Sequence, residues 1–348
     1  MKPSLNPWLV NADEYPADGY SSDQLEFLLA YAVLAPSNYN TQPWLFRINA
    51  ADVEIHADRR RAIRVIDPYD RELTLSCGAA LFNLRTAAEY FGHRYEVELL
   101  PDAGNANLLA RFRLGLKAET GAEDILLFHA ITQRRTNRQP FQPDPLPAEV
   151  RDELTQAAAA EGAWLQFIDG EDARANVADL VAEADRRQWA DKHFRQELAT
   201  WVRAKPETGL DGIPAHDHGV KDWLAFAGPA LIRTFDRGGG EAARDREIAA
   251  HSPTLAVLGT EKEDWPAWLA AGQALQHVLL AARAQNVWTS FLCQPIEVPE
   301  LRGQLTETLG LSGYPQVLLR LGFGPEVPPT PRRSPRAMLI HHTDQSHA

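Results

Sequence analysis

The 348-residue chain is long enough for two domains of ordinary size, and its content of 45% hydrophobic and 24% charged residues is that of a folded globular protein. The formal net charge of −12 argues against a nucleic-acid-binding protein, because binding to nucleic-acid phosphates depends on lysine and arginine. The two cysteines, Cys77 and Cys293, form no CxxC pair, which excludes a disulfide framework and a zinc–thiolate site and favours a reducing compartment.

The chain is expected to have neither a signal peptide nor a membrane span. Residues 1–7 contain no apolar segment of signal-peptide length. The longest apolar-looking stretch, Trp223–Ile232, contains Gly228 and Pro229 and is far shorter than the ~20 residues of a membrane-spanning helix. We therefore predict a cytoplasmic protein without membrane contact.

In chain order, the first half begins with a helix that ends near Leu34. A long helix follows later, with apolar residues at three- and four-residue spacing from about Arg71 to Phe91 and a stop at Gly92. Four short runs rich in β-branched and aromatic residues predict strands. They are Trp44–Ile48, Val53–Ala57, Tyr95–Leu100 and Ala110–Leu116.

The second half repeats this pattern after a helix that begins near Glu123. Asp264 precedes a second long helix from about Trp265 to Gln285, and Asn286 follows it. The predicted strands are Trp164–Ile168, Leu255–Gly259, Val287–Phe291 and Gln316–Leu321. Each half therefore reads as about four strands around one long helix, which is an α+β arrangement.

The two long helices coincide when they are aligned at an offset of 194 residues. Gly78 then meets Gly272, and Gly92 meets Asn286. Convergent composition of two amphipathic helices is the alternative explanation, but a shared glycine and a shared stop position favour an internal duplication. We predict one half at residues 1–122 and the other at residues 123–348.

The second half carries an insertion at about residues 169–250 that the first half lacks. Its pattern predicts helices at Val177–Ala204 and Val220–Phe235, and it is rich in aromatic residues. Trp189, Phe194, Leu198 and Trp201 fall close to one face of the first of these helices. The insertion either covers a site or adds ordinary packing.

Two motifs carry the chemistry. The loop from Ala35 to Trp44 holds two prolines and several small polar side chains, and the run from Arg134 to Arg138 places three guanidinium groups and a hydroxyl within five residues. The guanidinium group of arginine can bind a terminal phosphate through two parallel hydrogen bonds. Taken alone, each motif has an ordinary explanation, since such loops are often simple turns and arginine runs often lie on solvated faces.

In combination the motifs resemble the nitroreductase superfamily, in particular its Acg-like branch. The segments Asp67–Leu81 and Trp268–Leu275, and the tail from Leu319 to Pro335, are also similar, so the resemblance covers nearly the whole chain. It implies the nitroreductase fold, with mixed sheets flanked by helices. It also implies two tandem halves that mimic the family homodimer, in which FMN binds at the subunit interface.

The resemblance also implies a set of FMN-binding residues. The phosphate and the ribityl chain are expected at Arg134, Arg135, Thr136 and Arg138. The flavin ring is expected beside Pro36, Ser37, Asn38, Asn40 and Gln42. Arg332 and Arg333 resemble a C-terminal basic pair that approaches the phosphate, and the stretch from Trp288 to Cys293 resembles the strand end that faces the flavin.

Each half retains only one piece of such a site. Residues 11–22 contain no arginine, and the segment before Trp164 has no Pro-Ser-x-x-Asn pattern. We therefore expect one FMN per chain, a protein that can remain monomeric because its dimer is fused, and a lid at the insertion, as in the Acg-like branch.

The function implied is an FMN-dependent oxidoreductase that passes electrons from NAD(P)H to a small oxidised acceptor such as a nitroaromatic or a quinone. The alternative is a protein that stores or sequesters FMN under its lid with little turnover. The cofactor carries this chemistry, so no catalytic side chain can be selected.

The remaining motifs are weaker. His216-Asp217-His218 could ligate a metal, but a polar loop explains it better, and no metal site is predicted. Asp58-Arg59-Arg60-Arg61 is expected to be a charged turn. Gly322-x-Gly324 is not followed by the helix that a dinucleotide fingerprint requires.

Overall fold

The computed structural model describes residues 6–203, 209–214, 232–233 and 238–340. Within these ranges, no helix has the length and apolarity to cross a membrane. The elements of the first half are α1 (Ser21–Ala32), β1 (Trp44–Asn49), β2 (Asp52–Ala57), α2 (Arg71–Tyr90), β3 (His93–Leu99) and β4 (Leu108–Lys117).

The second half contains the larger number of elements. It opens with α3 (Ala122–Ile131), α4 (Ala148–Ala160) and β5 (Trp164–Ile168). The insertion follows with α5 (Glu171–Ala190), α6 (Lys192–Trp201), β6 (Val202–Arg203), β7 (Ile213–Pro214) and α7 (Gly238–Ala250). The half ends with β8 (Thr254–Thr260), α8 (Trp265–Ala284), β9 (Trp288–Phe291), α9 (Gln294–Glu297), α10 (Pro299–Leu309) and β10 (Tyr314–Gly322).

Both halves build a four-stranded sheet with the same strand order. The first sheet has the order β1-β2-β4-β3, and the second has the order β5-β8-β10-β9. When β5, β8, β9 and β10 are matched in chain order with β1 to β4, the two orders are identical. Convergent helix composition would not reproduce a sheet topology, so the internal duplication and the α+β class are confirmed.

The expected mixed character of the sheets needs correction. All six neighbouring strand pairs within the two sheets are antiparallel. The parallel pairs outside the insertion are single bridges at sheet edges, from Phe46 to Leu339 and from Thr136 to Thr289. Connections as short as those from β1 to β2 and from β3 to β4 can join only antiparallel neighbours, because a parallel pair needs a crossover.

The two long helices cross at the glycines that the offset of 194 residues pairs. A Cβ added to Gly78 would lie 2.5 Å from the carbonyl oxygen of Leu269. A Cβ added to Gly272 would overlap the carbonyl oxygen of Leu75. Since Leu75 and Leu269 are themselves 194 residues apart, the two contacts are related by a pseudo-twofold axis between α2 and α8.

A second reciprocal pair lies one turn further along both helices. The ring of Phe82 stacks on that of His277 at a centroid distance of 4.8 Å. Gln276 Nε2 donates to Asn83 Oδ1 at 2.7 Å. These four residues also match at the offset of 194, so the pseudo-symmetry extends along the helix pair even where the side chains have diverged.

The predicted ends of the long helices are confirmed. Gly92, at a φ of 72°, and Asn286, at a φ of 60°, both adopt the left-handed conformation just beyond their helices. Glycine reaches this region without a Cβ penalty, and asparagine tolerates it better than most residues.

The insertion differs from its prediction in one respect. The single helix expected at Val177–Ala204 is divided into α5 and α6, because Asp191 has an extended conformation with a ψ of 119°. Its side chain accepts from the backbone N–H of His193 at 2.8 Å and so starts a new helix. The helix predicted at Val220–Phe235, apart from residues 232–233, and the motif His216-Asp217-His218 lie outside the described residues.

The aromatic face of the insertion packs against the first half. Trp189, Phe194 and Leu198 are buried in a small cluster with Ile63 and Ile66. The sequence pattern predicted this face on a single helix, whereas the break at Asp191 divides it between α5 and α6, where it packs against Ile63 and Ile66. The insertion therefore spans from its own half to the other.

Candidate functional site

A cavity of about 290 Å³ lies between the two halves. The first half contributes the loop at residues 36–40 and one face of α2, and the second half contributes the arginine motif, β9 and the segment after it, and β10. The insertion contributes Gly212, Ile213 and residues of α7. Of the predicted site residues, the cavity is lined by Pro36, Ser37, Asn38, Asn40, Thr136, Arg138 and Arg332.

The loop beside the cavity has an unusual backbone. Tyr39, Asn40 and Gln42 have φ values of 50°, 54° and 51°, in the left-handed region that residues other than glycine rarely adopt. Such conformations cost about 1 kcal/mol or more each and persist where the surroundings impose them. Here the Ser37 hydroxyl accepts from the backbone N–H of Gln42 at 2.9 Å.

Asn40 joins three distant segments at the edge of the cavity. Its Nδ2 donates to the carbonyl oxygens of Gly212 at 3.2 Å and Pro331 at 3.0 Å. Its Oδ1 accepts from Arg332 Nη1 at 2.8 Å. One buried amide thus connects the loop with the insertion and with the C-terminal tail.

Two arginines are buried next to the cavity without a counter-ion. Arg134 is 3% exposed and Arg332 is 5% exposed. Among the described residues, neither forms an ion pair, and Arg134 Nε and Nη1 and Arg332 Nε have no hydrogen-bond partner. Burial lowers the pKa of Arg134 to about 9, with a further contribution from Arg135. The pKa of Arg332 is lowered for the same reasons, burial first and then the neighbouring arginines.

The other predicted residues lie outside the cavity lining and make structural contacts. The guanidinium of Arg135 stacks over the ring of Trp8 at 3.8 Å. Gln42 is fully buried, and its Oε1 accepts from the backbone N–H of Arg333 at 2.8 Å. Arg135, Gln42 and Arg333, like Arg134, are not among the residues that line the cavity.

The second motif reaches the cavity through its last residues. The backbone N–H of Asn137 donates to the Thr289 carbonyl oxygen at 2.9 Å, which fixes the motif alongside β9.

Burial raises the pKa of Asp245 on α7, although three cations nearby oppose the shift. These cations are Arg244, Arg320 and Arg138.

Sequence reasoning missed several residues that line the cavity. They include Tyr39, Glu72, Glu241, Asp245, Glu297 and Arg320. Arg320 carried a usable signal, since it is a charged residue within the otherwise apolar strand end Val317–Leu321. Glu72 and Glu241 carried none, because they lie in the first turns of helices, where acidic residues are common for reasons of helix electrostatics alone.

The predicted charged turn at Asp58–Arg61 is confirmed. Arg60 Nε donates to Asp58 Oδ1 at 2.8 Å, and Arg59 pairs with Asp70. Arg61 pairs with Asp211 of the insertion. The turn therefore fastens the insertion to the first half and does not face the cavity. Within the described residues, no group of three or more histidine, cysteine or acidic side chains could hold a metal ion.

A cavity between two like halves, lined by small and apolar side chains together with a limited number of charged groups, is typical of a site for a small organic ligand or cofactor. The model of the nitroreductase family matches residues 131–324, which is more than half of the chain. The protein belongs to the nitroreductase family.

Similar proteins extend over almost the whole chain. "Putative NAD(P)H nitroreductase Rv3131" of Mycobacterium tuberculosis is 32% identical over 323 residues, which cover 90% of each chain. "Putative NAD(P)H nitroreductase acg" of the same species is 28% identical, covering 91% of this chain and 94% of its own, so the resemblance to the Acg-like branch is confirmed. Among solved structures, the FMN-dependent nitroreductase NfnB of Mycobacterium smegmatis, in complex with NADPH, is 15% identical with a TM-score of 0.38, covering 64% of this chain and 97% of its own.

Proposed function

We propose that this protein is an FMN-dependent oxidoreductase that takes electrons from NAD(P)H and gives them to a small oxidised acceptor such as a nitroaromatic or a quinone. The observation that carries the proposal is the pair of buried arginines without a counter-ion among the described residues, Arg134 and Arg332, beside the cavity between the halves. Relatives named as NAD(P)H nitroreductases add support. A cytoplasmic location, where NAD(P)H is available, fits this activity.

The buried arginines fit a phosphate group. A buried cation without a partner is costly, and an anion that accepts hydrogen bonds from both guanidinium groups would remove that cost. Arg134 Nε and Nη1 and Arg332 Nε offer three such donors. Residues of the loop at 36–40 and the Thr136 hydroxyl would then lie along the rest of the cofactor.

Bound FMN would supply the redox chemistry, accepting a hydride from NAD(P)H and releasing electrons to the acceptor. The residues of the chain would bind and orient it. The strained loop, held by Ser37 and Asn40, would place Asn38 at a fixed point of the cavity. Arg138, which lines the cavity, would add a further positive charge to the site.

The position related to the cavity by pseudo-symmetry is filled, which supports one FMN per chain. The cavity-lining Ala79 has Gln273 as its counterpart at the offset of 194. Gln273 Oε1 accepts from Arg85 Nη1 at 2.7 Å, and the same nitrogen pairs with Glu161 Oε2 at 2.5 Å. Bulky paired side chains thus stand where the other half has a small one.

We expect the purified protein to contain one non-covalent FMN per 348-residue chain and to remain a monomer. The reason is that the two motifs form one complementary pair and the related position is occupied by the Arg85–Glu161 ion pair. Flavin absorbance after denaturation, together with light scattering, measures both quantities. Two flavins per chain would contradict the fused-dimer assignment.

We also propose that the insertion covers the flavin. Gly212 and Ile213 line the cavity, and the backbone N–H of Gly212 donates to the Asn40 carbonyl oxygen at 3.3 Å. The side chain of Gln42 donates to the Leu210 carbonyl oxygen at 2.8 Å. These contacts hold residues 210–213 across the loop, so a substrate must wait for them to open.

Gly212→Ala is expected to loosen the cover, speeding flavin reduction by NAD(P)H severalfold and weakening FMN binding. Gly212 has a φ of 77°, and an added Cβ would overlap the Trp201 carbonyl oxygen. Gly170→Ala is the matched control, because Gly170 also has a positive φ of 88° but no atom lies within 4 Å of an added Cβ. Stopped-flow reduction of the flavin-loaded variants measures the rates, and equal rates in both variants would refute the covering role.

The closed cover also favours a second candidate function, the storage of FMN with little turnover. Anaerobic mixing of the flavin-loaded protein with NADH or NADPH separates the two. Rapid loss of the flavin absorbance, followed by reoxidation on adding a nitroaromatic or a quinone, supports the oxidoreductase. A flavin that neither nucleotide reduces supports storage.

A further inference from the structure

Two carboxylates face each other across the loop side of the cavity. Asn38 Nδ2 donates to Glu72 Oε2, and it also lies 3.4 Å from Glu297 Oε1. Gln188 Nε2, from α5 of the insertion, donates to Glu297 Oε2 at 2.6 Å. All three of Asn38, Glu72 and Glu297 line the cavity. Both carboxylates are thus held by amides at the wall of the cavity in which substrate would lie.

The charges around this pair do not balance when both carboxyls are ionised. Arg71 Nη2 pairs with Glu72 Oε1 at 2.7 Å, and among the described residues it is the one cation in an ion pair with either carboxylate. The other titratable groups in electrostatic contact with the pair are Tyr39, Cys293 and Asp67. None of these is a cation, so the pair carries one uncompensated negative charge unless it holds a proton.

We propose that Glu72 and Glu297 share one proton, held mainly on Glu297, and that this carboxyl group protonates the acceptor as it is reduced. The inference rests on the proposed oxidoreductase function. Two carboxylates that are close together in a site of low polarity cannot both ionise at neutral pH, because each disfavours the charge of the other. Consistent with this, burial first and then Glu72 raise the pKa of Glu297 to about 8.

The step is balanced for a quinone. Its reduction to the hydroquinone requires two electrons and two protons. Bound reduced cofactor would supply both electrons and one proton as a hydride, and the Glu297 O–H bond would break to give the second proton to the quinone oxygen. The carboxylate that remains is stabilised by the amides of Asn38 and Gln188, and solvent returns the proton before the next turnover.

The first measurement locates the proton without turnover. Infrared spectra of the flavin-loaded protein are expected to contain a protonated-carboxyl band at neutral pH that disappears as the pH rises past about 8. Because Asp185 is also buried with a pKa of about 8, the spectra are compared in an Asp185→Asn background, in which Glu297→Gln should remove this band. A wild-type spectrum in which no carboxyl titrates in that range would overturn the proposal without any variant.

The second measurement tests the transfer itself. With a soluble benzoquinone, Glu297→Gln is expected to slow reoxidation of the reduced flavin by about a hundredfold, since general acids contribute about 10²–10⁴-fold. In the wild type the reoxidation rate should decline as the pH rises above the pKa of Glu297, and the variant should lose this decline. Asp185→Asn is the matched control, because Asp185 is also buried with a pKa of about 8 but does not line the cavity.

Different results would contradict the oxidoreductase function and the proton transfer from Glu297. If NAD(P)H does not reduce the wild-type flavin, the proposed function is wrong. If reduction is normal and Glu297→Gln reoxidises at the wild-type rate with the wild-type pH profile, only the proton transfer from Glu297 is wrong. A pH profile altered equally by Asp185→Asn would also overturn it, because it would reveal a general effect of buried charge.

Discussion

Arg134→Met is expected to lower the affinity for FMN by about ten- to a hundredfold while raising the stability of the flavin-free protein. A charged hydrogen bond to a phosphate contributes about 1.5–3 kcal/mol to binding, and losing it weakens the affinity by about ten- to a hundredfold. In the absence of an anion, the same guanidinium is a buried cation with two unpartnered nitrogens. An apolar side chain of similar length removes that cost.

The prediction is specific because FMN affinity should fall while the stability of the flavin-free protein should rise. Flavin fluorescence titration measures affinity, and chemical denaturation of the flavin-free protein measures the free energy of unfolding. Arg60→Met is the control, because Arg60 lies in the charged turn with a side chain that is 79% exposed and paired with Asp58. Equal FMN affinity in the two variants would remove the phosphate assignment. A loss of stability in flavin-free Arg134→Met would mean that another group already compensates this charge.

Gly272→Ala is expected to lower the free energy of unfolding by about 3 kcal/mol or more. The added methyl group would overlap the backbone carbonyl of Leu75 at the crossing of α2 and α8, and overpacking of a well-packed core typically costs about 1–3 kcal/mol. Backbone atoms cannot rotate away as a side chain can, so the helices would have to separate. Because the cavity lies between the halves, FMN affinity should fall with stability.

The control for this substitution is Gly303→Ala within α10. No atom lies within 4 Å of a Cβ added at Gly303, so the change mainly reduces the freedom of the unfolded chain. It is expected to raise stability by about 0.5–1 kcal/mol. Urea denaturation of both variants gives the comparison. A Gly272→Ala protein as stable as the wild type would contradict the close crossing of the two helices.

The sequence by itself determined the local structure and the duplication. The bounds of α2 and α8 follow from their apolar spacing and from the left-handed positions at Gly92 and Asn286, which depend on neighbouring residues alone. The pairing of Gly78 with Gly272 was also readable, because a duplicated helix keeps its contact residues at a constant offset. The two motifs were identified by residue types at short spacing, and seven of the eleven predicted site residues line the cavity.

Only the tertiary structure decided which distant side chains meet. Glu72 and Glu297 are brought to one amide by the packing of two halves, and neither has a local pattern that distinguishes it from an ordinary helix-end acid. The absence of a counter-ion for Arg134 and Arg332 within the described residues is likewise a property of the folded surroundings. Charge, burial and proton affinity depend on everything that packs around a group, whereas helix periodicity depends on a few neighbours, and this is why the elements were predictable and the electrostatics of the site were not.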